Sequence, residues 1–444
     1  MERPEHKRFY INTLPPMGLL SIASYLEKRH ISADIVDYNV EDVNMDFKEY
    51  QFIGFSVYLS NIERSLRRIK SAKKINPCAK IIIGGPSCIA NPEHFMQNKD
   101  IDAICFCEGE EALYEYIVSK DKTGIKGFLI KDSDVWMNTG ERDWIKNLDA
   151  LPFPSLNKVR LNKYDLSIRK TKPISSIITS RGCPYSCIFC FHSLGKQWRA
   201  CSSERVVEEI EWQVNRFGVK ELCIYDDNFT LDVNRAKDIC DLIIKKKIKV
   251  KFQLRNAIRA DKIDYDLCEK MHKAGVWLLG VSPETGSERT LKNIRKEINL
   301  DDVTKVVRQC KEIGLATFSC FMIGFPFETL KDVQDTIRYA VNLNTDIMQC
   351  SRVVPFPHTE LFKYTKPVHE INIEIEKDKG LFYGIYGEVE YKKSILTQSD
   401  FKKLIKELYR KYYLKPSRIF KLIRLLQPNL LARLFLYSVS TGNL

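Results

Sequence analysis

The chain has 444 residues, 70 basic against 57 acidic side chains for a formal net charge of +13, 44% hydrophobic residues and 14 cysteines. That length fits two or three domains, and the hydrophobic content with no glycine-, proline- or serine-rich tract excludes a largely disordered chain. No run of 18 apolar residues marks a transmembrane helix, the charged first eight residues do not read as a signal peptide, and scattered cysteines indicate a reducing, cytoplasmic setting rather than a disulfide framework.

In chain order, residues 1–118 alternate short apolar runs (33–36, 52–58, 80–83 and 101–106) with helical patterns at 18–27, 62–75 and 110–118. Alternation of this kind predicts a parallel sheet with crossover helices. The first helix opens after Pro15-Pro16, where helices start readily. The leader before it offers only Phe9-Tyr10-Ile11 as a continuous apolar stretch, too short for a central strand, so the sheet is expected to lack its first strand.

Residues 119–168 read as a connector. They carry a hairpin pattern at 127–131 and 134–138, followed by Leu151-Pro-Phe-Pro-Ser155, whose prolines exclude regular helix.

Residues 169–395 repeat a strand-then-helix unit six times, with strands expected at 174–179, 221–225, 250–254, 277–281, 316–322 and 347–353. Six units predict an incomplete (β/α)6 barrel, with its chemistry at the carboxyl ends of the strands. The final segment, 396–444, is helical and basic. Its amphipathic stretches at 418–426 and 430–436 are expected to pack on the barrel rather than on a membrane surface. The basic run 245–251 reads as a solvated face, which leaves nucleic acid an unexpected partner.

Directly after the first barrel strand comes Cys183-x3-Cys187-x2-Cys190, followed by His192. Three thiolates from one loop are one short of the four that close an iron-sulfur cluster, so a position stays free for another ligand. The same residues, Cys183, Cys187, Cys190 and His192, also suit a Cys3His structural zinc site.

The cysteine spacing, with Phe189 before the last cysteine and Thr179-Ser-Arg-Gly182 ahead of the first, resembles the signature of radical S-adenosylmethionine (SAM) enzymes. The resemblance implies a [4Fe-4S] cluster on Cys183, Cys187 and Cys190. Its fourth iron would be chelated by the methionyl end of SAM, whose reductive cleavage yields a 5′-deoxyadenosyl radical. It further implies SAM contacts at Phe189, at the paired carboxylates Asp226 and Asp227, at Arg255, at Ser282 and Glu284, and at Gly324 and Pro326. Asp226 and Asp227 equally suit a turn and helix cap, and Arg255 a structural ion pair.

Upstream, Pro15-Pro16-Met-Gly18, Gly84-Gly85-Pro and Cys107-Glu108-Gly109-Glu are similar to motifs of the flavodoxin-like (Rossmann-type) cobalamin-binding domain that precedes many radical SAM cores. Cobalamin contacts are therefore expected at Pro16, Gly18, Gly84, Gly85, Glu108 and Gly109. The chain lacks the Asp-x-His-x-x-Gly motif, so no histidine is expected as a lower cobalt ligand. The reaction implied is cobalamin-dependent methylation of an unactivated carbon or phosphorus of a small-molecule or peptide substrate, with electrons from an external donor such as flavodoxin or ferredoxin. Radical cyclisation or rearrangement or methylthio transfer without cobalamin, and a non-catalytic zinc- or cobalamin-binding scaffold, are the alternatives.

Overall fold

The computed structural model describes residues 13–41, 45–255, 258–365, 391–416 and 418–419. Helix α1 (Met17–Glu27) leads into β1 (Phe52–Ser56), α2 (Ile62–Ile75), β2 (Lys80–Gly84), α3 (Pro86–Ala90), α4 (Pro92–Met96), β3 (Ala103–Cys105) and α5 (Gly109–Val118). The three strands pair in parallel in that order. Ile81, Ile82 and Ile83 are all buried, as a strand covered on both faces requires. A hairpin of β4 (Phe128–Asp132) and β5 (Val135–Asn138) then joins the same sheet through antiparallel pairing of β4 with β3. The sheet thus extends past residue 118 into the stretch read as connector.

The strand expected at 33–36 is not formed. In a doubly wound sheet the first strand sits near the middle, and the leader that would supply it, with Phe9-Tyr10-Ile11, lies outside the described residues. Among the described residues β1 is therefore the edge, and the 33–36 run has no ladder to join. Ile35 packs instead against the cluster of Met17, Leu20 and Leu156.

The second sheet takes β6 (Ile174–Ile177), β9 (Glu221–Ile224), β10 (Lys251–Leu254), β11 (Val276–Glu284), β12 (Ala316–Ile323) and β13 (Ile347–Arg352), all parallel and in sequence order. The short strands β7 (Ser180–Arg181) and β8 (Arg199–Ala200) form a separate antiparallel ladder between β6 and β9. Helices α6 (Ser203–Phe217), α7 (Val233–Lys245), α8 (Tyr265–Ala274), α9 (Glu288–Asn293), α10 (Leu300–Glu312) and α11 (Leu330–Leu343) cover the outside. Their ends follow from sequence: Ser202 accepts a hydrogen bond from the Arg205 amide to open α6, and left-handed Gly218 closes it. At Gly280 a Cβ would lie 2.2 Å from the Arg255 carbonyl oxygen, so β11 approaches the end of β10 only with glycine there.

The floor of the incomplete barrel is a buried carboxylate. Glu221 accepts from the amides of Lys170 and Thr171, both at 2.7 Å, from Trp277 Nε1 at 3.0 Å and from Gln253. The outer edge, β13, is closed by α12 (Gln398–Tyr413). The Tyr413 hydroxyl donates to the Met348 carbonyl and accepts from its amide, at 2.5 and 2.9 Å, and Tyr409 does the same to Cys350, at 3.1 and 3.0 Å. Residues i and i+4 of a helix recur about every 6 Å and residues i and i+2 of a strand about every 6.6 Å. Two tyrosines one turn apart thus stand where a neighbour strand would, at an edge that has none among the described residues. The segments expected at 418–426 and 430–436 lie outside the described residues except for Arg418 and Ile419.

Candidate active site

The cysteine loop leaves the carboxyl end of β6 and is fastened at its base. Buried Asp226, after β9, accepts from the Thr179 amide at 2.6 Å, the Thr179 hydroxyl at 2.5 Å and the Ser180 hydroxyl at 2.7 Å. Burial pushes its carboxyl above the usual range despite those donors. Asp227 accepts from the Gly182 amide at 2.8 Å. Both carboxylates expected to meet SAM thus bind the backbone and hydroxyls that launch the loop. Gly182 has φ of 84°, and a Cβ there would sit 2.3 Å from the Gln197 carbonyl oxygen, so the loop's two limbs close only on glycine.

Cys183 and Cys187 are partly buried, and Cys190 is solvent-accessible. Yet dense surroundings push the Cys190 thiol up to about 12 and raise Cys187 as well, with neighbouring thiols adding and Lys296 opposing. Thiols raised in this way bind metal by exchanging protons for it. Among the described residues no three or more His, Cys, Asp or Glu converge as ligands to a single ion, and His192 directs Nε2 to the Tyr185 carbonyl at 2.8 Å. The donor set fits a multi-iron cluster with an open position better than a closed tetrahedral ion.

Beside the thiols lies a buried ion pair, Lys296 Nζ to Glu284 Oε1 at 2.8 Å. Glu284 has φ of 67° at the end of β11, a conformation a bulky residue adopts at a cost of about 1–3 kcal/mol. Arg259 brings Lys296 inward by donating to the carbonyls of Lys296, at 3.1 Å, and Glu297, and its guanidinium lies 3.7 Å from the centroid of the Tyr185 ring. Phe189 meets Phe325 with ring centroids 6.0 Å apart, which joins the cysteine loop to the Gly324-Phe-Pro326 turn. That turn is held by Glu328, which accepts from the Gly324 and Phe325 amides at 2.8 and 3.0 Å. Ser282 lies beside Cys320. Arg255 turns away to Gln253 Oε1 and the Ile168 carbonyl, at 2.6 and 2.5 Å.

Residues expected at a cobalamin face divide. Pro16 precedes α1, and a Cβ on Gly18 would meet nothing within 4 Å. Gly84 ends β2, and a Cβ on it would make only ordinary contact with Cys105. Gly85, with φ of 101°, lets its turn pass Val57, where a Cβ would come within 2.9 Å of the carbonyl oxygen. Gly109 packs on Ile22, and Glu108 is buried in ion pairs with Arg181 and Arg199. The carboxyl edge of β1 to β3, with Gly18 beside free space, is where such sheets bind ligands, and Gly85 keeps its turn compact there.

The B12-binding domain model matches residues 11–117, and the radical SAM superfamily model matches residues 177–340. An uncharacterised methyltransferase of Pyrococcus horikoshii is 30% identical over 94% of this chain and 91% of its own length. The chain belongs to the radical SAM superfamily. This radical SAM protein is an enzyme of the group carrying a B12-binding domain, and its cofactor set is a [4Fe-4S] cluster, SAM and cobalamin. It is also similar to an anaerobic magnesium-protoporphyrin IX monomethyl ester cyclase of Cereibacter sphaeroides, 24% identical over 90% of this chain and 66% of the cyclase. In fold it is similar to the radical SAM methyltransferase TsrM of Kitasatospora setae, solved with cobalamin and a [4Fe-4S] cluster. That likeness has a TM-score of 0.66 at 17% identity and covers 80% of this chain and 75% of TsrM. Among the described residues no helix is long and apolar enough to cross a membrane.

The radical SAM site includes residues that sequence reasoning missed. Lys296 sits in the charged run Arg295-Lys-Glu297, indistinguishable from a solvated turn. Arg181 lies within the quoted motif but carried no stated role, and Arg199 gave no local signal.

Proposed function

We propose that Cys183, Cys187 and Cys190 hold the [4Fe-4S] cluster, and that the enzyme performs cobalamin-dependent methylation of an unactivated carbon or phosphorus. The observation that carries this reading is three thiols on the loop that leaves the first strand of a six-stranded parallel sheet, in a chain that also carries a B12-binding domain. The bound cluster would supply the electron that cleaves SAM to a 5′-deoxyadenosyl radical. The chain's own residues orient: Asp226 and Asp227 hold the loop base, Phe189 packs the loop against the Gly324 turn, and Glu284 with Lys296 places a balanced ion pair beside the thiols. The Lys296 ammonium and the Glu284 carboxylate are suited to the carboxylate and hydroxyl groups of SAM. The substrate is a small molecule or peptide, the electron donor an external flavodoxin or ferredoxin, and the setting cytoplasmic.

The methyltransferase names of two of the similar proteins favour this reaction. Radical cyclisation is the second reading, favoured by the cyclase similarity over 90% of the chain. Anaerobic reconstitution with iron, sulfide and hydroxocobalamin, followed by gel filtration, tests the first reading. Retained cobalamin absorbance is expected, and a chain that emerges without it would remove the methylation reading.

A further inference from the structure

Arg181 and Arg199 are cross-strand partners in the β7–β8 ladder at the base of the cysteine loop. Two like charges directly opposite each other repel, and both here are largely withdrawn from solvent. Glu108 resolves the conflict from the other domain: its Oε1 accepts from Arg181 at 2.7 Å, and its two oxygens accept from Arg199 at 2.9 and 2.8 Å. Glu110 accepts from Arg181 at 2.7 Å and from the Ser21 hydroxyl of α1 at 2.7 Å. Glu108 and Glu110 are 6% and 4% exposed, so the four charges form a neutral group with little water to screen it.

The same side chains fasten the intervening chain. Glu108 accepts from the Ile145 amide at 2.7 Å, while Arg199 donates to the carbonyls of Ile145 at 2.8 Å and Leu194 at 3.0 Å. Glu108 follows β3 at the carboxyl edge of the first sheet, and Arg181 stands two residues before Cys183. The group thus spans from one cofactor-facing edge to the other.

We infer that Glu108 and Glu110 are positioning residues for the cluster: they lock Arg181 and Arg199 and thereby let the B12-binding domain set the placement and electrostatic environment of the cysteine loop. The inference rests on those cysteines holding the cluster. Net charge near a cluster shifts its reduction potential, because a nearby anion disfavours the reduced form.

The test uses the full chain reconstituted anaerobically, with iron content, folding by circular dichroism, and cluster potential with and without SAM by EPR-monitored titration. Glu108→Gln is expected to fold and bind about four irons but to move the potential to less negative values and to alter the SAM-bound EPR spectrum. Glu108→Gln with Arg199→Met, which restores charge balance, is expected to return the potential toward the wild-type value. If Glu108→Gln does not fold, Glu110→Gln, which leaves Arg181 one carboxylate, is read by the same criteria. An unchanged potential and spectrum in folded single variants overturns the inference, as does a double variant shifted as far as the single. Loss of folding in both single variants with an unperturbed double variant assigns the group to stability alone and also overturns it. A wild-type chain that takes up no cluster would instead sink the ligand assignment on which the inference rests.

Discussion

Glu328 holds the Gly324 turn with one carboxylate oxygen, while the other is buried with no hydrogen-bond partner among the described residues. Burial pushes this carboxyl up to about 7, against 4.5 when exposed, although the two amides oppose the rise. The folded state therefore favours the proton. The stabilisation from the neutral form is complete below about pH 4.5 and is lost as pH rises through about 7, amounting to about 3 kcal/mol at most. Glu328→Gln is expected to flatten the fall in stability between pH 5 and 8, measured by urea unfolding; an unaltered pH profile would contradict this. At this scale the sequence was most readable where chemistry forces spacing: the motif Cys183-x3-Cys187-x2-Cys190 that carries the resemblance lies inside the matched radical SAM region. It was least readable for Lys296 and Glu108, whose partners lie far along the chain, and for Asp226, whose carboxylate binds the loop backbone.

At the scale of elements, periodicity marked α2 to the residue and located all six strands of the second sheet, because strand and helix patterns alternate regularly along that stretch. The run at 33–36 has the same composition, yet a strand needs a neighbour, and composition does not reveal one. The hairpin was legible but its attachment to β3 was not, since pairing is a long-range fact. The edge of β13 shows the converse: tyrosines in α12 complete a strand that has no further partner among the described residues. Tyr409→Phe and Tyr413→Phe should each lower stability by about 1–2 kcal/mol by leaving edge backbone groups unpaired, read from urea midpoints. Unchanged midpoints would mean water substitutes without cost. Gly280→Ala should cost more, about 3 kcal/mol or above, because its Cβ would meet a backbone carbonyl rather than a yielding side chain. A variant of wild-type stability would show that β11 can shift away from β10.

At the scale of the whole molecule, a B12-binding domain and a radical SAM barrel are joined through charge as well as apolar packing. Buried Glu108 and Glu110 meet the arginines at the root of the cysteine loop, so the two halves share one electrostatic unit. Arginine methylenes and carboxylates buried together resist salt screening better than surface pairs do. The most direct measurement of the central claim is 5′-deoxyadenosine formation from SAM by the anaerobically reconstituted full chain under a low-potential reductant, beside Cys187→Ala. The wild-type chain should form it and Cys187→Ala should not. Equal formation by both, or none from a wild-type chain carrying about four irons, would contradict the account.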